Sequence, residues 1–190
     1  PNANSTNKNK TYRIYSNNNG ASWTKEEVTS NIFGLFDEAY ATFFGSGKLA
    51  VDPDFNGTGK ARVYGAILLK NSARSTNNYV LFSDDWGATW KILGGSKTQI
   101  AEADEPKVEI LPNGQILLSA RRQGGRTFNV FTYTDKATGS GIWDKAVNGC
   151  ENGGKNGTDG EVLCIDAQKA DGTTVKLLLQ SQPKGGASHY

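Results

Sequence analysis

The sequence predicts an all-β protein built as a sandwich, a barrel or a propeller. Short runs rich in Val, Ile, Leu, Tyr and Phe alternate with Gly, Asn and Asp turns, and few segments show helical periodicity. An eight-residue turn motif also occurs twice, each time directly after a predicted strand. Repetition of one supersecondary unit favours the propeller among these three architectures.

The predicted strands share β-branched, aromatic or leucine-rich composition and are bounded by turn residues. They cover residues 11–15, 61–70, 79–82, 107–111, 115–120, 127–133, 162–166 and 174–179.

The repeated motif has the form Ser, any residue, Asx, any residue, Gly, any residue, Ser or Thr, and Trp. Ser and Asx side chains accept hydrogen bonds from nearby backbone N–H groups, and Gly supplies a backbone angle that a Cβ opposes. We expect each Trp to wedge between neighbouring sheets. The matching positions are Ser16, Asn18, Gly20 and Trp23 in the first copy and Ser83, Asp85, Gly87 and Trp90 in the second.

A third, degraded copy runs from residue 134 to Trp143. The tryptophans at 23, 90 and 143 are therefore 67 and 53 residues apart. A propeller blade has a period of roughly 40–50 residues, which loop insertions lengthen.

Residues 105–122 read EPKVEILPNGQILLSARR and predict a hairpin with charge at both ends. Glu105 is expected to be extended, because a residue before proline avoids helical angles. The turn residues 112–114 allow a tight reversal, which brings Glu105 near Arg121. A carboxylate and a guanidinium on rigid strands suit a charged ligand. The alternative is a solvated surface ion pair that contributes about 0–1 kcal/mol.

Composition bounds the remaining possibilities. The 190 residues are 36% hydrophobic and 10% aromatic, which is enough for a sizeable core. A net charge of +2 gives no indication of nucleic-acid or membrane-surface binding, and no apolar run approaches a membrane span.

Cys150 and Cys164 match no metal-ligand spacing, so a loop disulfide and two buried thiols both stay open. The single His189 builds neither a metal site nor a Ser/His pair. The absence of Met is expected of a piece of a longer protein.

The repeated motifs resemble the Asp boxes of the sialidase superfamily, which lie between the last two strands of propeller blades. Residues 79–95 and 103–135 also resemble secreted bacterial exo-sialidases. The resemblance implies a six-bladed β-propeller, of which this chain covers roughly three to four blades, with residues 1–190 belonging to a single catalytic propeller. It implies hydrolysis of terminal sialic acids from sialylated glycans outside the cytoplasm.

The resemblance also implies a chemistry. Such enzymes retain configuration and use a tyrosine nucleophile, with no organic cofactor and no metal. Three arginines bind the substrate carboxylate, and an Asp is the general acid/base. Glu105 matches the residue that partners the tyrosine, and Arg121 matches the second arginine. Arg122 is expected to be a solvated or structural neighbour.

Other positions depart from the family pattern. Arg13 stands in a strand that the first repeat follows at once, so we expect it on a late strand and outside the carboxylate site. Asp37 is a candidate substrate contact or acid. Phe44 is a candidate wall of the sugar pocket, within a variable segment at 33–48, although aromatics in all-β chains more often form core. The third arginine and the nucleophile are expected downstream, so Tyr190 is not the nucleophile.

A second functional class stays open from the sequence. An Asp-box propeller can be non-catalytic, serving as a sialic-acid-binding or protein-interaction scaffold. On either interpretation the remainder of the same propeller is an expected partner of this chain.

Overall fold

The computed structural model describes residues 9–151 and 160–183, which fold into successive antiparallel sheets. His189 and Tyr190 lie outside the described residues. The helix α1 covers Thr29–Phe33, and a 3₁₀ turn covers Phe55–Gly57. The strands are β1 Tyr12–Tyr15, β2 Thr24–Glu27, β3 Ala41–Phe44, β4 Ala50–Asp52, β5 Arg62–Lys70, β6 Thr76–Ser83, β7 Lys91–Ile92, β8 Ile100–Ala101, β9 Asp104–Ile110, β10 Ile116–Arg122, β11 Gly125–Asp135, β12 Ser140–Trp143, β13 Val147–Gly149, β14 Val162–Gln168 and β15 Thr174–Gln180.

These strands form four sheets in the described part of the chain. Sheet 1 is the hairpin β1–β2, and sheet 4 is the hairpin β14–β15. Sheet 2 runs β3-β5-β6-β7, with β4 also on β5 and β8 also on β6. Sheet 3 runs β9-β10-β11-β12, with β13 also on β11. The main path of sheet 2 and that of sheet 3 is thus an up-and-down meander of four antiparallel strands, the arrangement found in a propeller blade.

The apolar runs of β5 and β6 are continuous because both faces of sheet 2 are covered. Val63 and Ile67 belong to a core with α1, whereas Tyr64 and Ala66 belong to the core shared with sheet 3. Side chains alternate between the two faces of a strand, so a strand that is covered on both sides needs apolar residues at every position. Sheet 2 therefore lies between two neighbours in a series.

Strand β9, the first strand of sheet 3, lies beside strands of sheets 2 and 4. It contacts β4, β5 and β6 of sheet 2 and β14 of sheet 4. Lys48 reinforces this contact, because its Nζ donates to Glu109 Oε2 at 2.6 Å and to the Val162 carbonyl at 3.0 Å. Glu109 Oε2 also accepts the backbone N–H of Cys164 at 2.9 Å. The sheets consequently radiate from neighbouring inner strands as blades, and they do not stack as a sandwich.

The first repeated turn joins β1 to β2 and has the predicted hydrogen bonds. Ser16 Oγ accepts the Gly20 N–H at 2.8 Å, and Asn18 Oδ1 accepts the Ser22 N–H at 2.9 Å. The expectation that Trp23 wedges between sheets is wrong, because 66% of this residue's surface is exposed. Its ring covers Gly20 in its own turn, and the described strands place no sheet over it.

The second repeated turn joins β6 to β7 with matching geometry. Ser83 Oγ accepts the Gly87 N–H at 2.7 Å, and Asp85 Oδ1 accepts the Thr89 N–H at 2.8 Å. Here the tryptophan is buried as predicted, and Trp90 Nε1 donates to the Gly87 carbonyl at 3.1 Å. The two turns differ in the burial of their tryptophans and not in their backbone hydrogen bonds.

The degraded third copy joins β11 to β12. Asp135 Oδ1 accepts the Ala137 N–H at 2.9 Å, and Gly139 has a positive φ of 77°. Trp143 packs on Phe131 with 5.2 Å between ring centroids. The second and third turns both join the third strand of a four-strand path to the fourth, so they occupy equivalent positions in sheets 2 and 3.

Candidate functional site

The hairpin predicted at 105–122 is present as β9 and β10. Leu111 N–H donates to the Gln115 carbonyl, and Gly114 N–H donates to the Leu111 carbonyl, both at 2.8 Å. Gly114 has a φ of +81°. The loop is therefore a three-residue turn closed by a left-handed glycine, and that turn fixes the register of the two strands.

A β-bulge interrupts the pairing at the far end of this hairpin. Ser119 pairs with Lys107 and Arg121 pairs with Asp104, so β9 has one residue more than β10 over this interval. Glu105 lies in the bulge with a φ of +43°. The expectation of an extended Glu105 is wrong, because a proline disfavours the right-handed helical region before it, whereas a bulge takes up its extra residue by a local change of backbone angle.

The bulge places Glu105 beside Arg121, as the hairpin predicts. Glu105 Oε2 lies 3.2 Å from Arg121 Nε, and Asp104 Oδ2 lies 3.4 Å from Arg121 Nη2. The Nε–H is not aligned for a hydrogen bond, so its contact with Glu105 is an ion pair. One guanidinium thus faces two carboxylates that remain partly open to solvent.

Two adjacent clefts open at this end of the sheets, and Asp104 belongs to both. The cleft that contains Arg121 has a volume of about 370 Å³ and is also lined by Thr76, Glu102, Ala103, Arg122 and Gln123. The cleft that contains Glu105 has a volume of about 400 Å³ and is also lined by Phe43, Phe44, Gly45, Ser46, Leu68, Lys70 and Pro106. The ion pair therefore lies on the ridge between a polar cleft and a cleft with an aromatic wall.

Arg126 is a residue of this site that sequence reasoning missed. It lies opposite Arg121 in the pairing of β10 with β11 and is only 1% exposed. Its Nη2 donates to the carbonyl of Glu105 at 3.4 Å and to the carbonyl of Ser119 at 3.0 Å. Burial lowers the pKa of Arg126 to about 10, and the negative charge of Glu105 partly offsets this effect. The available sequence signal was an arginine directly before the predicted strand 127–133.

The other arginines named from the sequence have separate partners. Arg122 forms an ion pair with Glu151, and its Nη1 donates to the Gln123 carbonyl at 3.0 Å. Arg13 lies in sheet 1, where its Nη1 is 2.9 Å from Glu26 Oε2. Arg13 therefore lies outside both clefts, whereas Arg122 lines the Arg121 cleft with its guanidinium paired to Glu151.

Of the two further residues predicted to contact the substrate, Phe44 lines a cleft of the site and Asp37 does not. Phe44 lines the cleft of Glu105 and also packs on Trp90, with 5.2 Å between ring centroids, so it is both wall and core. Asp37 is exposed in a turn after α1 and lines neither cleft. The structure does not bring Asp37 to Glu105 or Arg121.

Both cysteines are free thiols, with Cys150 exposed and Cys164 half-buried. Within residues 9–151 and 160–183, no group of three or more His, Cys, Asp or Glu side chains is placed to hold a metal ion. Among the described residues, no helix is long and apolar enough to cross a membrane.

No protein-family model matches the sequence, and no curated protein matches it. Solved structures do match. The Hadza microbial sialidase Hz136 is 20% identical with a TM-score of 0.61, over 89% of this chain and 31% of that one. Trypanosoma rangeli sialidase in complex with sialic acid is 17% identical with a TM-score of 0.50, over 89% and 27%. A protein of unknown function from Dyadobacter fermentans DSM 18053 is 16% identical with a TM-score of 0.50, over 91% and 51%.

The chain therefore spans about a third or less of the length of the sialidases that it matches. At these identities the likeness establishes the fold and assigns no activity. The predicted fold class is confirmed: the chain is part of an all-β propeller with a sialidase-like fold.

Proposed function

We propose that this chain is part of an exo-α-sialidase, which hydrolyses terminal α-ketosidically linked sialic acids from glycoconjugates with retention of configuration. The observation that carries the proposal is the position of Glu105 Oε2, 3.2 Å from Arg121 Nε, on the ridge between two clefts. The sialidase-like fold supports it, and so does the neighbour from Trypanosoma rangeli, whose structure contains sialic acid.

In this proposal Arg121 binds the carboxylate of the sugar. A guanidinium is planar, remains charged and offers paired donors that match the two carboxylate oxygens. Asp104 Oδ2, 3.4 Å from the Nη2 atom, helps to hold the guanidinium in place. A bound anion then replaces part of the contact between Arg121 and Glu105, and the Glu105 carboxylate becomes available to a proton donor.

Glu105 acts as the base that takes the phenolic proton of a tyrosine nucleophile. The tyrosine oxygen bonds to the anomeric carbon while the glycosidic C–O bond breaks, and an Asp acid protonates the leaving oxygen. The Asp carboxylate then takes a proton from water, whose oxygen bonds to the anomeric carbon as the bond to the tyrosine oxygen breaks, and Glu105 returns its proton to that oxygen. A neutral phenol avoids bringing an anion against the substrate carboxylate. The tyrosine, the acid and the other two arginines are not assigned to residues described here.

The proposal extends to the whole protein. Residues 1–190 belong to one catalytic propeller whose other blades complete the ring, and its partners are sialylated glycans. Because such glycans are displayed on cell surfaces and secreted glycoproteins, we place the protein outside the cytoplasm, either secreted, periplasmic or on the cell surface.

The test is the variant Arg121→Ala in the complete protein that contains this chain, assayed on a fluorogenic sialoside. We expect kcat/KM to fall about 100-fold or more, because a charged hydrogen-bonding partner of the substrate is lost. Arg13→Ala is the matched control, since it removes an arginine that also forms a cross-strand ion pair, with Glu26, and lines neither cleft. We expect that control to stay within about threefold of wild type.

Unchanged turnover and affinity in Arg121→Ala would show that Arg121 does not bind the substrate. A wild-type protein that binds sialic acid without hydrolysing the sialoside would instead be a sialic-acid-binding propeller. If the wild-type protein neither binds sialic acid nor hydrolyses the sialoside, both functions are contradicted.

A further inference from the structure

Arg126 is among the largest fully buried side chains of the described residues. Transferring a guanidinium from water to a protein interior is costly unless its donors are satisfied. A neutral residue would fill the same volume at a lower cost. The burial of a cation directly behind the Glu105–Arg121 pair therefore needs a reason beyond packing.

Three hydrogen bonds of Arg126 converge on the bulge in the β9–β10 pairing. Its Nη2 donates to the carbonyls of Glu105 and Ser119 at 3.4 and 3.0 Å, and its Nε donates to Ser119 Oγ at 3.1 Å. Glu105 lies in the bulge on β9, and Ser119 lies on β10 at the last regular pair before the bulge. One side chain thus holds both strands across the position where their ladder is broken.

The backbone that Arg126 holds is strained. Glu105 has a φ of +43°, in the left-handed region, which a residue other than glycine rarely adopts. Such a conformation persists only where the surroundings impose it. If the Glu105 carbonyl is released, we expect φ to return to negative values and the carboxylate to move away from Arg121.

We propose that Arg126 is a positioning residue, which holds the Glu105 bulge so that the carboxylate stays beside the Arg121 guanidinium. It does not contact the substrate, and it acts through Glu105. Its effect on turnover rests on the proposed function, whereas its effect on the Glu105–Arg121 geometry does not.

The lysine variant Arg126→Lys tests this in the complete protein, because it keeps a positive charge and removes the forked donors. Arg62→Lys is the matched control. Arg62 is also a buried arginine, 2% exposed, and its Nη1 donates to the Lys136 carbonyl at 2.7 Å near the repeated turns. Both variants are expected to lose stability in a thermal unfolding measurement.

Only Arg126→Lys is expected to change the site. Its crystal structure should show Glu105 with a negative φ and beyond ion-pair distance from Arg121. Its kcat should fall about 100-fold with KM nearly unchanged, because Glu105 is displaced by about 1 Å or more. Arg62→Lys should retain the wild-type kcat and the wild-type Glu105 geometry.

An intact Glu105–Arg121 pair in the Arg126→Lys structure overturns the proposal, whether or not the wild-type protein is a sialidase. An equal fall of kcat in both variants also overturns it, because Arg126 would then act on stability alone. If Arg126→Lys does not fold, Ser119→Ala removes the hydroxyl that accepts from Arg126 Nε and donates to Gln180 Oε1 at 2.7 Å, and Gln180→Ala is its control because it removes only the second of these two contacts. In Ser119→Ala we expect a shifted Glu105 carbonyl, and an unshifted carbonyl contradicts the proposal.

Discussion

Glu105 Oε2 and Arg121 Nε lie 3.2 Å apart, on neighbouring strands, with side chains that are 26% and 24% exposed. An ion pair of this exposure contributes about 0–1 kcal/mol to stability. Stability alone therefore does not account for the pair, whose backbone carries a strained residue. The neighbouring Asp104 adds a second carboxylate, and the buried Arg126 behind the pair adds a second guanidinium.

Replacing Glu105 with Gln should separate catalysis from stability. Glutamine has the same shape but takes no proton, so we expect kcat to fall about 100-fold or more. The free energy of unfolding should change by less than about 1 kcal/mol. Glu26→Gln is the control, because Glu26 forms a similar cross-strand pair with Arg13 at 2.9 Å in sheet 1. Equal kcat values in the two variants would remove Glu105 from the mechanism.

The hairpin and the repeated turns could be predicted because their signals are local. Pro112 and Gly114 specify a reversal within a few residues, and the Ser and Asx side chains bond to backbone groups in their own turn. Once these turns are fixed, the register brings Glu105 and Arg121 together. The propeller followed from the repetition of one such turn.

The rest depends on contacts that are distant in sequence. Strand β2 is polar throughout, and β7 and β8 contain two residues each, so pairing with β1 and β6 defines these strands and their composition does not. The left-handed Glu105 depends on a one-residue excess in β9. The contact of Lys48 with sheets 3 and 4 could not be predicted, because its partner Glu109 is 61 residues away in the sequence.

Asp84→Asn should destabilise the fold through Arg62. Arg62 is 2% exposed, and its Nε and Nη2 donate to the two carboxylate oxygens of Asp84 at 2.6 and 2.8 Å. Loss of the charge leaves a buried cation with weaker partners, although water reaches the 45%-exposed Asp84. We expect a loss of about 2 kcal/mol in urea unfolding.

Asp166→Asn is the control for that measurement. Asp166 pairs with Lys176 at 2.5 Å, and both side chains are more than half exposed. Its replacement should cost less than about 0.5 kcal/mol. Equal effects of the two variants would show that Arg62 does not depend on the carboxylate.

Asp85→Asn should make the second repeated turn less sensitive to acid. Desolvation raises the pKa of Asp85, but hydrogen bonds from Thr89 and Ser83 outweigh it and lower the pKa below its ordinary value. A carboxyl whose pKa is lower in the folded state stabilises above its unfolded pKa of about 3.9. That contribution disappears as the pH falls through the folded pKa. The first turn has Asn18 in this place, so an amide fits.

The measurement is urea unfolding at pH 6 and at pH 3. The wild type should lose more stability between pH 6 and pH 3 than Asp85→Asn does. At pH 6 the second repeated turn should have the same geometry in both proteins. A variant with the same pH dependence as the wild type would show that Asp85 does not contribute to acid sensitivity.

Gly45→Ala should disturb the site from the neighbouring sheet. A Cβ on Gly45 would overlap the carbonyl oxygen of Pro106, the residue that follows Glu105. The Gly45 N–H donates to the Ala66 carbonyl at 2.9 Å, so sheet 2 holds this backbone in place and β9 must move. We expect a loss of about 3 kcal/mol, because overpacking between two backbones has no flexible side chain to absorb it.

The comparison for Gly45→Ala is Gly114→Ala, at the tip of the β9–β10 hairpin. Nothing lies within 4 Å of a Cβ there, and only the positive φ of 81° opposes alanine, at about 1 kcal/mol. Both changes add one methyl group to a backbone that leads to Glu105, but only Gly45→Ala should lower kcat. A larger effect at Gly114 would mean that turn strain, and not the approach of sheet 2 to Pro106, controls the position of the carboxylate.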